Sequence, residues 1–280
     1  MKVAIVLGGT RGIGRALVEH LAMKWDGLVY LTARRDTDGA AAVDDLRSRN
    51  VHAEHLLFDL SRRTDPDSIA KLLMERHGGI DSVIQNGAYM PRAGVPAAED
   101  ARPMIETNSH GTLRVLRAML PILRPNGRIV VVASGLGVLS NLPEPLRTRF
   151  DTRAGDPDRI NLAMDAYVDA VERGAAKQEG WPEWVNIPSK VGQVAVTRAF
   201  ATRAKDSGAL PPGALINIAN PGLTWTDATR DFMGTAFDPE QAQTPQEAAE
   251  PIAWLATLPP GTAEPYGELV QGCRVIPFGD

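Results

Sequence analysis

The stretch Leu7-Gly8-Gly9-Thr10-Arg11-Gly12-Ile13-Gly14 constrains this chain more than any other. It follows an apolar run, Val3-Ala4-Ile5-Val6-Leu7, that reads as a buried strand. It opens into residues 15–22, whose apolar positions have helical spacing. A glycine cluster by itself means only a turn, but between a first strand and a helix it predicts a dinucleotide site. Gly8 lets the backbone turn off the strand, Gly12 admits a pyrophosphate close to the main chain, and Gly14 lets helix and strand pack closely. The free N–H groups at the helix start then face the phosphates, with Thr10, Arg11 and Ile13 in the same site. The spacing is G-x-x-x-G-x-G, not the commoner G-x-G-x-x-G.

Strand and helix patterns alternate beyond this unit. Strands are predicted at 28–32, 55–58, 80–85 and 127–133, and helices at 40–49, 68–77 and 101–123. The last of these strands, apolar throughout, belongs at the centre of a sheet. A helix over 188–205, a strand at 215–219, a helix over 245–256 and a short strand at 268–270 complete the series. The alternation predicts an α/β fold, a doubly wound parallel sheet of Rossmann type, with ligands beyond the carboxyl ends of the strands. Residues 1–280 read as one domain. Residues 135–185 interrupt the alternation with Pro143, Pro145 and Pro157 and a helix at 159–177. They read as a helical insertion over the ligand crevice.

Composition excludes several classes. At 44% hydrophobic and 23% charged residues the chain can bury a sizeable core. A net charge of −4 gives no basic footprint for nucleic acid. The one cysteine, Cys273, cannot form an internal disulfide, which suits a reducing, cytoplasmic setting, and no histidine spacing suits a metal. No apolar run is long enough to span a membrane, and the run at 3–7 leads straight into the glycine turn instead of a secretory leader.

The residues also favour one nucleotide over another. An acid near the end of the second strand normally binds a free ribose 2′-hydroxyl. Here that place holds Ala33-Arg34-Arg35. Arg34 can pair with a 2′-phosphate, with Arg11 as a second cation, so NADP(H) is expected over NAD(H). The alternative is a solvated arginine pair, with Asp36 and Asp38 left for the ribose. Asp59-Leu60 is placed against the adenine edge, or Asp59 simply begins a helix.

At this point the sequence resembles the short-chain dehydrogenase/reductase family over essentially its whole length, and within it the monomeric carbonyl reductase branch. The resemblance rests on Gly8, Gly12 and Gly14; on Gln85-Asn86-Gly87-Ala88 where the family usually has N-N-A-G; and on Asn108 in the long fourth helix. It rests further on Ser134 after the fifth strand, Lys190 as the lysine of Y-x-x-x-K, and Pro221-Gly222 with Thr226 at the nicotinamide end. It implies a substrate-orienting role for Ser134, a ribose contact for Lys190 and a water link to that lysine for Asn108. Leu136, Trp181, Trp184, Trp225 and Phe232 fall on segments that rim the substrate pocket, implying a bulky apolar or aromatic small molecule. The insertion would cover a face that relatives use for dimer packing, which implies a monomer.

The departure is at Asn186, four residues before Lys190, where the family's tyrosine gives a proton to the carbonyl oxygen. A carboxamide donates a hydrogen bond but releases no proton near neutral pH. The expected function is therefore NADP(H)-dependent action on a carbonyl with the proton coming from water or Lys190. The alternatives are a redox-silent cyclisation, isomerisation or elimination, and an NADPH sensor without turnover.

Overall fold

The structure, a computed structural model, describes residues 1–92, 94–233 and 238–279, without the side chains of 232, 233 and 239. The first half runs β1 (Lys2–Leu7), α1 (Gly12–Lys24), β2 (Gly27–Ala33), α2 (Asp36–Ser48), β3 (Glu54–Leu57), α3 (Asp65–His77) and β4 (Ile80–Gln85). A long helical segment follows, made of α4 (Ala97–Ile105), a π turn (Glu106–Gly111) and α5 (Thr112–Met119), and it leads into β5 (Leu123–Val132). After several short turns come α6 (Glu144–Arg147), α7 (Pro157–Glu172), α8 (Asn186–Asp206), β6 (Leu215–Ala219), α9 (Asp227–Met233) and α10 (Pro245–Ala256). A hairpin of β7 (Leu269–Gln271) and β8 (Arg274–Ile276) closes the described chain.

The sheet order is β3-β2-β1-β4-β5-β6-β7-β8, parallel except for the last pair. The chain winds outward from β1 to β3 and then crosses back to β4, so the order reverses between β1 and β4. That switch point leaves a crevice at the carboxyl ends of the strands. Residues 3–7 of β1 and 129–132 of β5 are apolar on both faces because both faces are covered. Val3, Ile5 and Leu7 of β1 and Ile129 and Val131 of β5 join the core beneath α3, α4, α5, α7 and α8. Ala4, Val6, Val130 and Val132 join the core beneath α1, α2 and α10. This is the doubly wound α/β sheet that the alternation predicts.

The differences from the sequence reading have local causes. Helix α2 starts at Asp36 instead of 40, with Asp36 and Asp38 in its first turn, where carboxylates suit the helix dipole. The helix expected over 101–123 begins at 97 and carries the π turn in its middle. Strand β8 has no counterpart in the reading. Its turn, Gly272-Cys273, has positive φ at both residues (52° and 62°), a hairpin geometry whose usual signature is Asn-Gly.

The segment 135–185 needs a correction. Helix α7 buries Ile160, Met164, Tyr167 and Val168 against the sides of α4 and α8. Gly192 of α8 makes this approach possible, because a side chain there would run into Met164. Only the ends of the segment, Gly135 and Leu136 at one and Trp184 at the other, reach the crevice. Its apolar stripe faces two helices, so the bulk of the segment lies on a helical face and not over the ligand crevice.

Candidate active site

The crevice at the switch point is a cleft of about 1610 Å³. Pockets for a drug-sized molecule run to roughly 300–1,000 Å³, so this one has room for an extended ligand and a second molecule. It runs from the end of β2, past the glycine turn, to the start of α8.

The glycine turn is fixed from three sides. Gly8 and Gly12 adopt positive φ, 83° and 54°. A side chain on Gly14 would strike the Gly8 carbonyl oxygen, so helix α1 can seat on the strand end only with glycine there. The Asn86 Nδ2 donates to that same carbonyl at 2.9 Å, and the Gly8 amide donates to Thr32 Oγ1 at 2.9 Å. Gly9, absent from the motif as read, is equally confined: its Cβ would lie 2.7 Å from Leu31 Cβ. No side chain caps α1 and its first turn holds no acid, so its leading N–H groups are available to an anion. Thr10, Arg11, Gly12 and Ile13 line the cleft, whereas Gly14 stands behind it as packing.

At the β2 end the charges are sorted. Arg35 is bound to Asp38 (2.8 and 3.0 Å), Arg15 to Asp45, and Asp36 to His55 (2.9 Å). Arg11 and Arg34 line the cleft, and their side chains make no hydrogen bond or close ion pair among the described residues. Both acids left open for a ribose in the sequence reading are thus engaged elsewhere. Asp59 also lines the cleft, but its carboxylate accepts from the amide and hydroxyl of Ser61, as a turn residue does. Leu60 beside it packs against Gly111.

The far end is built on α8. Asn186 is its first residue, and Lys190, Gln193 and Thr197 follow on one buried face. Lys190 is only 4% exposed, and burial lowers its pKa to about 8. Its Nζ donates to Gln193 Oε1 at 2.9 Å. Asn186 Oδ1 and Gln193 Nε2 are buried without a hydrogen-bond partner among the described residues. Ser134 ends the extended run after β5, and its Oγ accepts from the Leu136 amide at 3.2 Å. The turn that follows lies against α8: a Cβ on Gly137 would come 2.7 Å from the Lys190 carbonyl oxygen. Ser134, Asn186 and Lys190 therefore line one end of the cleft.

Asn108 lies behind this end of the cleft. It is fully buried in the π turn and does not line the cleft. Its Oδ1 accepts from the Tyr89 amide (2.7 Å), and its Nδ2 donates to the Tyr89 carbonyl (2.9 Å) and to Ser189 Oγ (2.9 Å). It clamps the loop after β4 onto α8, one residue from Lys190. Tyr89 thereby enters the cleft, a residue the sequence reading missed although it directly follows Gln85-Asn86-Gly87-Ala88. Its hydroxyl donates to Asp100 at 2.8 Å, and burial together with that carboxylate raises its pKa.

The Pro221-Gly222 loop and Thr226 line the cleft opposite the glycine turn. Asn220 Oδ1 accepts from the Gly222 amide (3.0 Å), Gln243 donates to the Pro221 carbonyl, and Thr226 Oγ1 accepts from the Thr229 amide (3.1 Å). Of the expected rim, Leu136 and the exposed Trp184 line the cleft. Trp225 is exposed outside the cleft lining. The Phe232 side chain lies outside the described residues. Trp181 is a core residue, 3% exposed, with its ring 4.9 Å from Tyr167 and edge-on to Phe150 at 6.4 Å. A Trp-Pro pair at the end of an insertion looks the same in sequence whether it faces a ligand or anchors the insertion. Among the described residues no cluster of His, Cys, Asp or Glu could hold a metal, and no helix is long and apolar enough to cross a membrane.

Comparison with known proteins places this geometry. A family model described as short chain dehydrogenase matches residues 2–144. Carbonyl reductase (NADPH) 3 of Rattus norvegicus is 33% identical over 276 residues, covering 96% of each chain. The Mus musculus protein of the same name is 34% identical over 279 residues, again covering 96% of each. Among solved structures, salutaridine reductase from Papaver somniferum superposes with a TM-score of 0.83 at 21% identity, covering 98% of this chain and all of that one.

Proposed function

The chain belongs to the short chain dehydrogenase family, and from that premise we propose that it is an NADP(H)-dependent reductase of carbonyl compounds that works without a tyrosine proton donor. One observation carries the reading. A single cleft holds two cations whose guanidinium groups make no hydrogen bond among the described residues, Arg11 and Arg34, at one end and a buried lysine without a paired carboxylate beside Asn186 and Ser134 at the other.

The nucleotide fits the residues present. The glycine turn and the uncapped start of α1 suit the pyrophosphate, and Arg34 with Arg11 suits the 2′-phosphate. Asn86 holds the turn in shape, while Pro221, Gly222 and Thr226 would hold the nicotinamide end. When bound, NADPH supplies the hydride. The remaining work is the chain's own.

A carbonyl oxygen that gains negative charge needs donors and a proton. The Ser134 hydroxyl proton is uncommitted among the described residues, and the carboxamide NH₂ of Asn186 is a second donor. Asn186 orients and polarises. The Lys190 ammonium, with a pKa near 8, gives the proton and recovers it from solvent. Leu136, Tyr89, Met90 and Trp184 give that end apolar and aromatic walls, which favour a bulky apolar or aromatic carbonyl. Helix α7, seated on α4 and α8, supports a monomer, and the single exposed cysteine supports a reducing, cytoplasmic setting.

Substrate-dependent oxidation of NADPH across a panel of quinones and bulky ketones tests the reading, with NADH as control. Turnover of at least one carbonyl, faster with NADPH, is expected. Tight NADPH binding with no turnover would mean a redox-silent enzyme or a sensor, the readings that Asn186 taken alone favours.

A further inference from the structure

The buried polar face of α8 extends one turn deeper than the proposed chemistry uses. Gln193 is fully buried on that face, beside Val191, Val194 and Val196 of the same helix. An amide there costs desolvation unless its hydrogen bonds are made. Only one half of it is satisfied: Oε1 accepts from Lys190 Nζ at 2.9 Å, while Nε2 has no partner among the described residues. Stability alone does not explain a half-satisfied buried glutamine, and its one bond points at the lysine.

The charged and titratable groups that make ion pairs or hydrogen bonds on the helical elements around α8 make them with other partners. On the π turn, Glu106 pairs with Arg114, and His110 pairs with Asp165 of α7. On α4, Asp100 holds Arg92 and Tyr89, and Arg102 holds Glu172 of α7. On α5, Arg117 holds Asp158 of α7. None of these is paired with Lys190, and burial is the one cause of its lowered pKa. Among the described residues, the one hydrogen bond of the ammonium is to a neutral amide.

We propose that Gln193 is the positioning residue for Lys190, holding Nζ at the inner end of the cleft by a neutral acceptor that satisfies one N–H without supplying a counter-charge. The inference rests on the reading of Lys190 as proton donor. A carboxylate at 193 would pin the ammonium and keep its proton. An aliphatic residue would free Nζ and leave the charged form unsupported. The neutral carbonyl lies between, fixing the amine and leaving the proton labile. The proton transfer balances: one N–H bond of Lys190 breaks, one O–H bond forms on the carbonyl oxygen whose carbon receives the hydride that bound NADPH would supply, and the neutral amine takes a proton from water, releasing hydroxide to solvent.

The test is the titration of Lys190 itself, followed by NMR of the chain without nucleotide, with lysine isotopically labelled and the signal assigned by its loss in Lys190→Met. Gln193→Glu, which keeps the shape, is expected to raise the midpoint by roughly one to three pH units, as an opposite charge at this range does. Gln193→Leu is expected to lower it by about one pH unit. The alkaline limb of turnover against pH should move in the same two directions. NADPH binding and the melting profile serve as checks that each variant is folded, and if the leucine variant fails them, the glutamate variant decides. An unchanged Lys190 midpoint in a folded Gln193→Glu protein would overturn the inference. A midpoint that moves while the limb of turnover stays would overturn it too, leaving the reductase reading intact. Absence of any carbonyl turnover would fall on the reductase reading, whereas the titration still reports on Gln193.

Discussion

The side-chain amide of Asn86, at the end of β4, donates to the carbonyl of Gly8, at the end of β1, at 2.9 Å. The two strands flank the switch point, so this bond sets the shape of the crevice floor. Gly14 is part of the same arrangement, since any side chain there would strike the carbonyl that Asn86 holds. Asn86→Ala should destabilise the fold by about 0.5–1.5 kcal/mol, the worth of one hydrogen bond. Gly14→Ala should cost about 1–3 kcal/mol through overpacking. Both should weaken NADPH binding in an equilibrium titration, and unchanged binding in Gly14→Ala would show that the turn does not cradle the nucleotide.

The Arg34 guanidinium makes no hydrogen bond or close ion pair among the described residues and feels Asp38 only at longer range, whereas Arg35 beside it is paired directly with Asp38. A 2′-phosphate contact predicts a difference between these neighbours. Arg34→Ala should weaken NADPH binding by about tenfold to a hundredfold, the scale of a charge-assisted hydrogen bond, and leave NADH binding unchanged. Arg35→Ala should have a much smaller effect. Equal losses for both nucleotides in Arg34→Ala would count against the phosphate contact.

Asn186→Tyr should raise carbonyl turnover by about 10²–10⁴-fold, the usual worth of a positioned general acid. The phenol would then take over proton donation from Lys190. No gain in a folded, nucleotide-binding variant would mean that the cleft is not arranged around a carbonyl at this position.

Two tryptophans three residues apart should behave differently. Trp181→Ala removes a ring packed on Tyr167 and Phe150 and should cost about 3–5 kcal/mol, seen as a large drop in Tm. Trp184→Ala should shift Tm little and should raise KM for bulky apolar carbonyls, because that ring is exposed at the cleft. The reverse pattern would contradict the placement of the insertion.

Much of this was legible in the sequence where periodicity and backbone chemistry carry the signal. Strand β1, the glycine turn and the start of α1 declare themselves because buried parallel strands are apolar runs and because sharp turns demand glycine. The site residues drawn from several elements were legible only through family resemblance, since Ser134, Lys190 and Pro221 come together by topology and not by spacing. Three things were hidden. Trp181 reads as a rim residue until its neighbours are known. Asn108 reads as a backbone-held water link to Lys190, and the work of its side chain, clamping the Tyr89 loop to Ser189, has no signal in the sequence. Gln193 is an ordinary helix residue in sequence, and only its contact with Lys190 gives it a role.

The central claim is that Lys190, and not a tyrosine, gives the proton. The most direct measurement is kcat/KM for carbonyl reduction against pH, which reports the ionisations of the free enzyme. Because the acid form is the active one, the rate should hold at lower pH and fall as pH rises through about 8, where burial has brought the Lys190 ammonium. A profile that stays flat through that range would contradict the account.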